Sequence, residues 1–252
     1  MECEMKKLNG KRGLKTSSVI VTIHQPEHLP WLGFFHKISQ ADVFVILDSV
    51  QFRKNYFQNR NKIRTVNGWT WLTVPVKRNI NTLIKDVEID NNQNWRRKCW
   101  NSIYFSYKKA PYFSKYSSNF EKLYKQDWIN LYEPNIQLIK QFLNFFSLEP
   151  TILKSSEMDV HGKGSELILN ICKKVGADTY ISGIFGKEYL KLSDFKEVGI
   201  EVIFQEFHHP IYKQLYEPFI PGMSSIDLLF NHGPDSLDII MGRDIPVGGS
   251  LI

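Results

Sequence analysis

No stretch of this chain approaches the ~18 consecutive apolar residues of a membrane-crossing helix, so none of it is expected to span a bilayer. Cysteine is scarce. Cys3, Cys99 and Cys172 are odd in number, and their spacings fit neither a zinc site nor a disulfide framework, which points to a reducing compartment and to the cytoplasm. Cys172 also falls on the apolar face of a predicted helix, where a buried thiol is inert, so a Cys-His nucleophile is disfavoured. The first 17 residues carry lysines and an arginine but lack the apolar core and small-residue cleavage site of a signal peptide; they read as a disordered tail. Also missing are a P-loop, a dinucleotide fingerprint, a G-x-S-x-G elbow and any internal repeat. No metal site is expected.

What remains is a globular chain. Its 252 residues, 42% of them hydrophobic, are enough to fill a sizeable core. The net charge is +6, and basic residues gather in "FRKNYFQNRNKIR" (52–64) and "WRRKCW" (95–100). Such charge suits anionic partners, and a phosphate-bearing small molecule satisfies it as well as a nucleic acid does.

The runs "SVIVTI" (18–23) and "ADVFVILD" (41–48) are apolar and β-branched on both faces, the pattern of parallel strands covered on both sides. Between them Leu32, Phe35 and Ile38 recur at helical spacing, so a helix is predicted from about Pro30 to Gln40, completing a βαβ unit. Residues 68–90 read as short antiparallel strands at a sheet edge. Residues 94–147 read as a helical insertion whose aromatics are core. The α/β pattern then resumes: a helix through Leu167, Ile168, Ile171, Cys172 and Val175 stopping at Gly176, a strand "TYISG", a helix capped by Ser193 or Asp194, and a strand "IEVIFQEF" (200–207). The prediction is an α/β fold: a mainly parallel, doubly wound, Rossmann-like sheet in one domain over 18–252, with a helical insertion and a short antiparallel elaboration.

In such sheets ligands bind beyond the carboxyl ends of the strands. Polar residues sit there in this sequence: His24-Gln25, Asp48 followed by Gln51, Ser182-Gly183, and Gln205. The stretch "HQPEHLPWLGFFHK" after the first strand is then read as one wall of a binding crevice held rigid by Pro26 and Pro30. Each residue also has a purely structural alternative. His24 or His28 can donate to a backbone carbonyl, Asp48 can cap a turn, and Ser224 or Ser225 can cap a helix. Arg60 suits bidentate recognition of phosphate or carboxylate. Gly183 and Gly186 let backbone approach a phosphate closely.

"HQPEHLPWLGFFHKI", "ADVFVILDSVQFRKNYFQNRNKI", "WLTVPVK", "APYF", "YISGIFGKEYL", "GIEVIFQEF" and "SSIDLLFNHG" together resemble the WbqC-like family, bacterial proteins associated with O-antigen, lipopolysaccharide and other surface-polysaccharide gene clusters. The order of elements is also similar to nucleotidylyl-transferase folds such as pantothenate synthetase. Where those carry an HxGH signature this chain reads Glu-His-Leu-Pro over Glu27 to Pro30, and no lysine accompanies Ser224-Ser225.

The resemblance implies a place in surface-polysaccharide synthesis more firmly than a reaction; the expectation is an enzyme acting on a nucleotide-linked amino sugar, forming an amide by acyl or aminoacyl transfer. In that reading His24 or His28 is the general base, with Asp48 as a third catalytic residue. Arg53, Arg60 and Lys77 grip diphosphate, and Gln25, Gln51, Asn59, Ser182, Gly183, Tyr189, Gln205 and Ser224 complete the substrate site. ATP and acyl-CoA stand as candidate cofactors, and homo-oligomerisation is left open. The alternatives are an ATP-dependent carboxylate-activating ligase and a non-catalytic nucleotide- or nucleic-acid-binding protein. The stretch 52–71 matches no nucleic-acid recognition motif, which argues against nucleic acid.

Overall fold

The structure, a computed structural model, describes residues 18–77 and 81–243. The expected tail over 1–17 lies outside the described residues. In chain order the strands are β1 (Ile20–His24), β2 (Val43–Ile46), β3 (Arg60–Thr65), β4 (Gly68–Thr73), β5 (Thr151–Lys154), β6 (Thr179–Ser182) and β7 (Glu201–Phe204). The α-helices are α1 (Leu32–Ile38), α2 (Trp95–Tyr107), α3 (Phe113–Lys125), α4 (Tyr132–Phe145), α5 (Ser165–Val175), α6 (Leu192–Glu197), α7 (Ser225–His232) and α8 (Ser236–Ile240). The described residues form two compact units: one from 18–25, 37–50 and 150–206, the other from 26–36, 51–77, 81–149 and 207–243.

The first unit is a five-stranded, wholly parallel sheet in the order β5-β2-β1-β6-β7, flanked by helices. Both faces of its central strands are covered: all of β2 is buried, as are Val21 and Ile23 of β1, and the buried Thr22 between them donates its hydroxyl to Ile181 O. Leu167, Ile168, Ile171 and Cys172 of α5 close one face of this core. That helix ends at Gly176, whose φ of 74° accepts the left-handed C-cap without a Cβ penalty. The chain builds outward from β1 through β2 to β5, then returns to lay β6 and β7 on the opposite side. Strand order therefore reverses between β1 and β6.

Two local expectations change. β5 is a four-residue edge strand with only Leu153 buried, too short and too little patterned to stand out in the sequence. The helix α6 starts at Leu192 with Lys191 as its N-cap and no capping side chain, so Asp194 lies inside the first turn and Ser193 Oγ donates to its carboxylate.

The second unit holds the antiparallel hairpin β3–β4 and the helices α2, α3, α4 and α7. Isolated bridges pair Gln51 with Leu83 and Val76 with Ile89, so the described residues of 68–77 and 81–90 are an antiparallel elaboration with less regular structure than the alternation suggests. Its core is aromatic. Rings of Phe35, Phe142, Phe120, Phe230 and Phe113 touch in series at centroid distances of 5.0–5.7 Å, each adding more than its buried area alone.

The segment 26–36 is a strut of this second unit. His28 N donates to the Phe57 carbonyl, Asn61 Nδ2 to Leu29 O, and Ser225 N to Pro30 O, while Trp31 bridges Ser224. Gly33 is required here because a Cβ would stand 2.3 Å from the Trp31 indole.

Candidate functional site

The strand ends of the first unit place the sequence-predicted residues in register. His24 pairs with Ile46, and Ser182 with Phe204, so His24, Ser182, Gly183 and Gln205 follow one another along the carboxyl edge from β1 to β7. The Gln205 amide continues the ladder by donating to Ser182 O at 2.7 Å. The reversal of strand order between β1 and β6, the place where ligands bind in open α/β sheets, falls between His24 and Gly183.

His24 is partly buried, and its Nδ1 lies 2.9 Å from the Gln25 carbonyl. A carbonyl only accepts, so Nδ1 carries the proton and the ring lone pair is on Nε2. Burial, reinforced by the charge of Lys37 and opposed by the Gln25 carbonyl, lowers the His24 pKa to about 3. Lys37, itself 2% exposed, donates Nζ to Ile23 O of β1 at 3.1 Å. The imidazole is therefore neutral at pH 7 and a weak base: it can orient a polar group but holds a proton poorly. Lys37 was missed in the sequence. Its position three residues after Phe34, on a helix that buries Phe34, was the available signal.

Gly183 and Gly186 have opposite reasons for being glycine. Gly183 follows β6 with φ −67° and ψ 160°, a conformation open to any residue, and a Cβ built there meets nothing within 4 Å. At Gly186 a Cβ would come within 2.1 Å of Ser182 Oγ, so its hydrogen lets the 3₁₀ turn Ile184–Glu188 close over the strand end. Ser182 is 1% exposed and donates Oγ to Gly183 O, so its side chain is turned into the fold at the strand end. Tyr189 is half exposed on the same turn.

Four predicted residues have structural work instead. Asp48 is buried and accepts from Ser155 Oγ, Ser156 N and Ser156 Oγ at 2.7–3.0 Å, clasping the turn after β5 to the end of β2. His28 is fully buried with Nδ1 3.0 Å from Asn135 Oδ1 and Nε2 2.9 Å from the Tyr124 hydroxyl, which leaves neither nitrogen for a substrate. Asn59 is buried, donating to Val74 O and accepting from Asn55 N. Ser224 is buried and caps α7 by accepting from Ile226 N. In these geometries the side chains of His28, Asp48, Asn59 and Ser224 are engaged by partners within the fold.

The remaining predicted residues lie in the second unit, except Gln25. Gln51 bonds Asn81 at the surface, Arg53 stacks over Tyr56 at 4.8 Å, Arg60 over Trp71 at 4.2 Å, and Lys77 pairs with Glu88. Gln25 contributes its carbonyl to His24. Among the described residues no group of three or more His, Cys, Asp or Glu is placed to hold a metal, and no helix is long and apolar enough to cross a membrane.

The interior histidine makes a pH prediction. Burial lowers the His28 pKa from 6.5 to about 4, against the Asn135 hydrogen bond that raises it. Between those values the unfolded chain binds the proton and the folded one does not, so stability rises with pH across that window and is lost on acidification. Each pH unit below 6.5 costs about 1.4 kcal/mol, so His28 alone should remove about 2 kcal/mol by pH 5. Urea unfolding at pH 7 and pH 5 is expected to show at least that loss, with His24 adding in the same direction, and His28→Gln should flatten the difference by about 2 kcal/mol.

The sequence profile of the WbqC-like protein family matches residues 25–239. Uncharacterized protein Rv1507c of Mycobacterium tuberculosis (strain ATCC 25618 / H37Rv) is 30% identical over 224 residues, covering 87% of this chain and 96% of that protein. No solved structure matches.

Proposed function

We propose, from the premise that this chain belongs to the WbqC-like protein family, that it is an enzyme of surface-polysaccharide synthesis. It binds a nucleotide-linked amino sugar at the carboxyl edge of the parallel sheet and forms an amide on the sugar amine by acyl or aminoacyl transfer. The observation that carries the binding site is Gly183. It stands at the reversal of strand order, and neither its backbone angles nor its neighbours require glycine. A residue without a side chain there leaves room for a ligand to approach the main chain closely.

His24, across the reversal from Gly183, serves this reading as a neutral hydrogen-bonding group that orients the amine. With a pKa of about 3 it does not take the ammonium proton, which leaves to solvent before the amine attacks the acyl carbonyl; the C–N bond forms as the donor's thioester or ester bond breaks, and the donor thiol or hydroxyl departs with the second amine proton. The rate should therefore show no inflection belonging to His24 between pH 5 and pH 8, and a break in that range that disappears in His24→Gln restores the base assignment.

The reading is tested by melting the protein against UDP-linked amino sugars, UDP alone, ATP and acyl-CoA, since a ligand bound only by the folded state raises the transition by mass action. A rise with the amino-sugar nucleotides exceeding that with UDP is the expected result. No rise with any of them rejects the site's ligand. Pyrophosphate release from ATP on adding a carboxylate replaces acyl transfer with the ligase reading.

A further inference from the structure

The outer face of the hairpin β3–β4 has a composition that the crevice does not use. Asn61 and Ile63 point inward and are fully buried, so the alternate residues Arg60 and Lys62 face the other side of β3. Opposite them on β4 stand Trp71 and Trp69: Lys62 pairs with Trp71, Arg64 with Trp69 and Arg60 with Thr73. The side chains interleave. Arg60 lies 4.2 Å from the Trp71 ring centre, Lys62 lies 4.3 Å from that of Trp69 and 5.3 Å from that of Trp71, and the two indoles meet edge to face at 5.7 Å.

Three properties distinguish this ladder from a solvated basic surface. Trp69 remains 44% exposed, although an indole of that size is normally covered. Neither Arg60 nor Lys62 has a carboxylate partner among the described residues, and Arg60 Nε is buried with no hydrogen-bond acceptor. The indole N–H groups of Trp95 and Trp128 donate to Asn91 Oδ1 and Leu123 O, whereas those of Trp69 and Trp71 have no acceptor among the described residues. The face thus offers two uncompensated cations, two indole N–H donors and exposed ring surface.

We propose that this ladder is a binding platform for an anionic saccharide. A sugar ring lays its C–H face on the exposed indole of Trp69, while its carboxylate or other acidic group and its hydroxyl oxygens accept from Arg60, Lys62 and the indole N–H groups. Single-stranded nucleic acid fits less well. Two rungs two residues apart span only about 7 Å of strand, short of a track several nucleotides long.

The probe is tetragalacturonate, titrated calorimetrically into the full chain beside its methyl ester and oligothymidylate. Tetragalacturonate should bind, its affinity should fall with added salt, and the ester should bind at least about tenfold more weakly. Trp69→Ala and Lys62→Gln should each weaken binding by about tenfold or more, with Trp69→Phe between wild type and Trp69→Ala. If Trp69→Ala proves unfolded by circular dichroism, Lys62→Gln and Trp69→Phe decide. Absence of tetragalacturonate binding, equal affinity for the ester, or unchanged affinity in Lys62→Gln and Trp69→Phe overturns the proposal. So does preferential binding of oligothymidylate that is lost in the same variants.

Discussion

Gly183→Trp is expected to weaken binding of the amino-sugar nucleotide by about 100-fold or more while moving the ligand-free melting temperature by no more than about 2 °C. The two halves of this expectation have separate causes. The backbone at Gly183 lies at φ −67° and ψ 160°, so an L residue is unstrained, and the open space around its Cβ position lets a side chain enter without displacing a neighbour. The same side chain then occupies the volume where strand order reverses, and a ligand that needs the main chain of Ser182 and Gly183 is excluded. Gly183→Ala provides the graded control. Its methyl should cost little binding and stabilise the fold by about 0.4–1 kcal/mol through the unfolded chain's lost freedom. Melting and titration calorimetry on the three proteins check both halves. Wild-type affinity in Gly183→Trp places the ligand elsewhere.

Arg64→Met is expected to be the most damaging single change to the fold, costing about 3–5 kcal/mol and lowering the melting temperature by roughly 10–15 °C. Arg64 is 1% exposed, and its guanidinium donates to four carbonyls: those of Thr65 and Gly68 around the hairpin turn, and those of Tyr216 and Pro218 at 3.1 and 3.0 Å. Its backbone N–H donates to the Tyr107 hydroxyl at 2.9 Å. The fully buried Asp227 accepts from Tyr212 and Gln214 at 2.9 Å each; burial raises its pKa, while these bonds and the charge of Arg64 hold it down. Methionine fills similar volume but leaves four carbonyls without their donor and removes a positive charge that favours the buried Asp227 carboxylate. The double variant with Asp227→Asn should lose less than the sum of the two single losses, because removing the carboxylate removes the stranded charge. Denaturant unfolding of the four proteins measures that coupling.

Legibility in the sequence tracked how local the cause was. The β-branched runs at 18–23 and 41–48 announced buried parallel strands because coverage on both faces erases alternation. Gly176 announced a helix end because its left-handed angle is a property of one residue. The aromatics of 94–147 read as core, and the ring series through Phe142 and Phe120 is that core. Among site residues, the placement of His24, Ser182 and Gln205 on one edge followed from strand ends alone. The roles of His28 and Asp48 did not follow, because the groups that claim them, Asn135, Tyr124, Ser155 and Ser156, are roughly a hundred residues away in the chain.

By itself the sequence determined the central strands β1, β2, β6 and β7, their parallel arrangement and the edge on which polar termini collect, since each rests on periodicity or on the conformational limits of single residues. Only the tertiary structure decided which of those polar groups are consumed in holding the chain together. It separated a glycine that packing demands, Gly186, from one that nothing demands, Gly183. It also turned His24 into a neutral group by burying it within reach of the charge on Lys37. The physical reason is common to all three: hydrogen-bond satisfaction, steric room and local field depend on atoms brought near by folding, and residue order alone does not encode that distance.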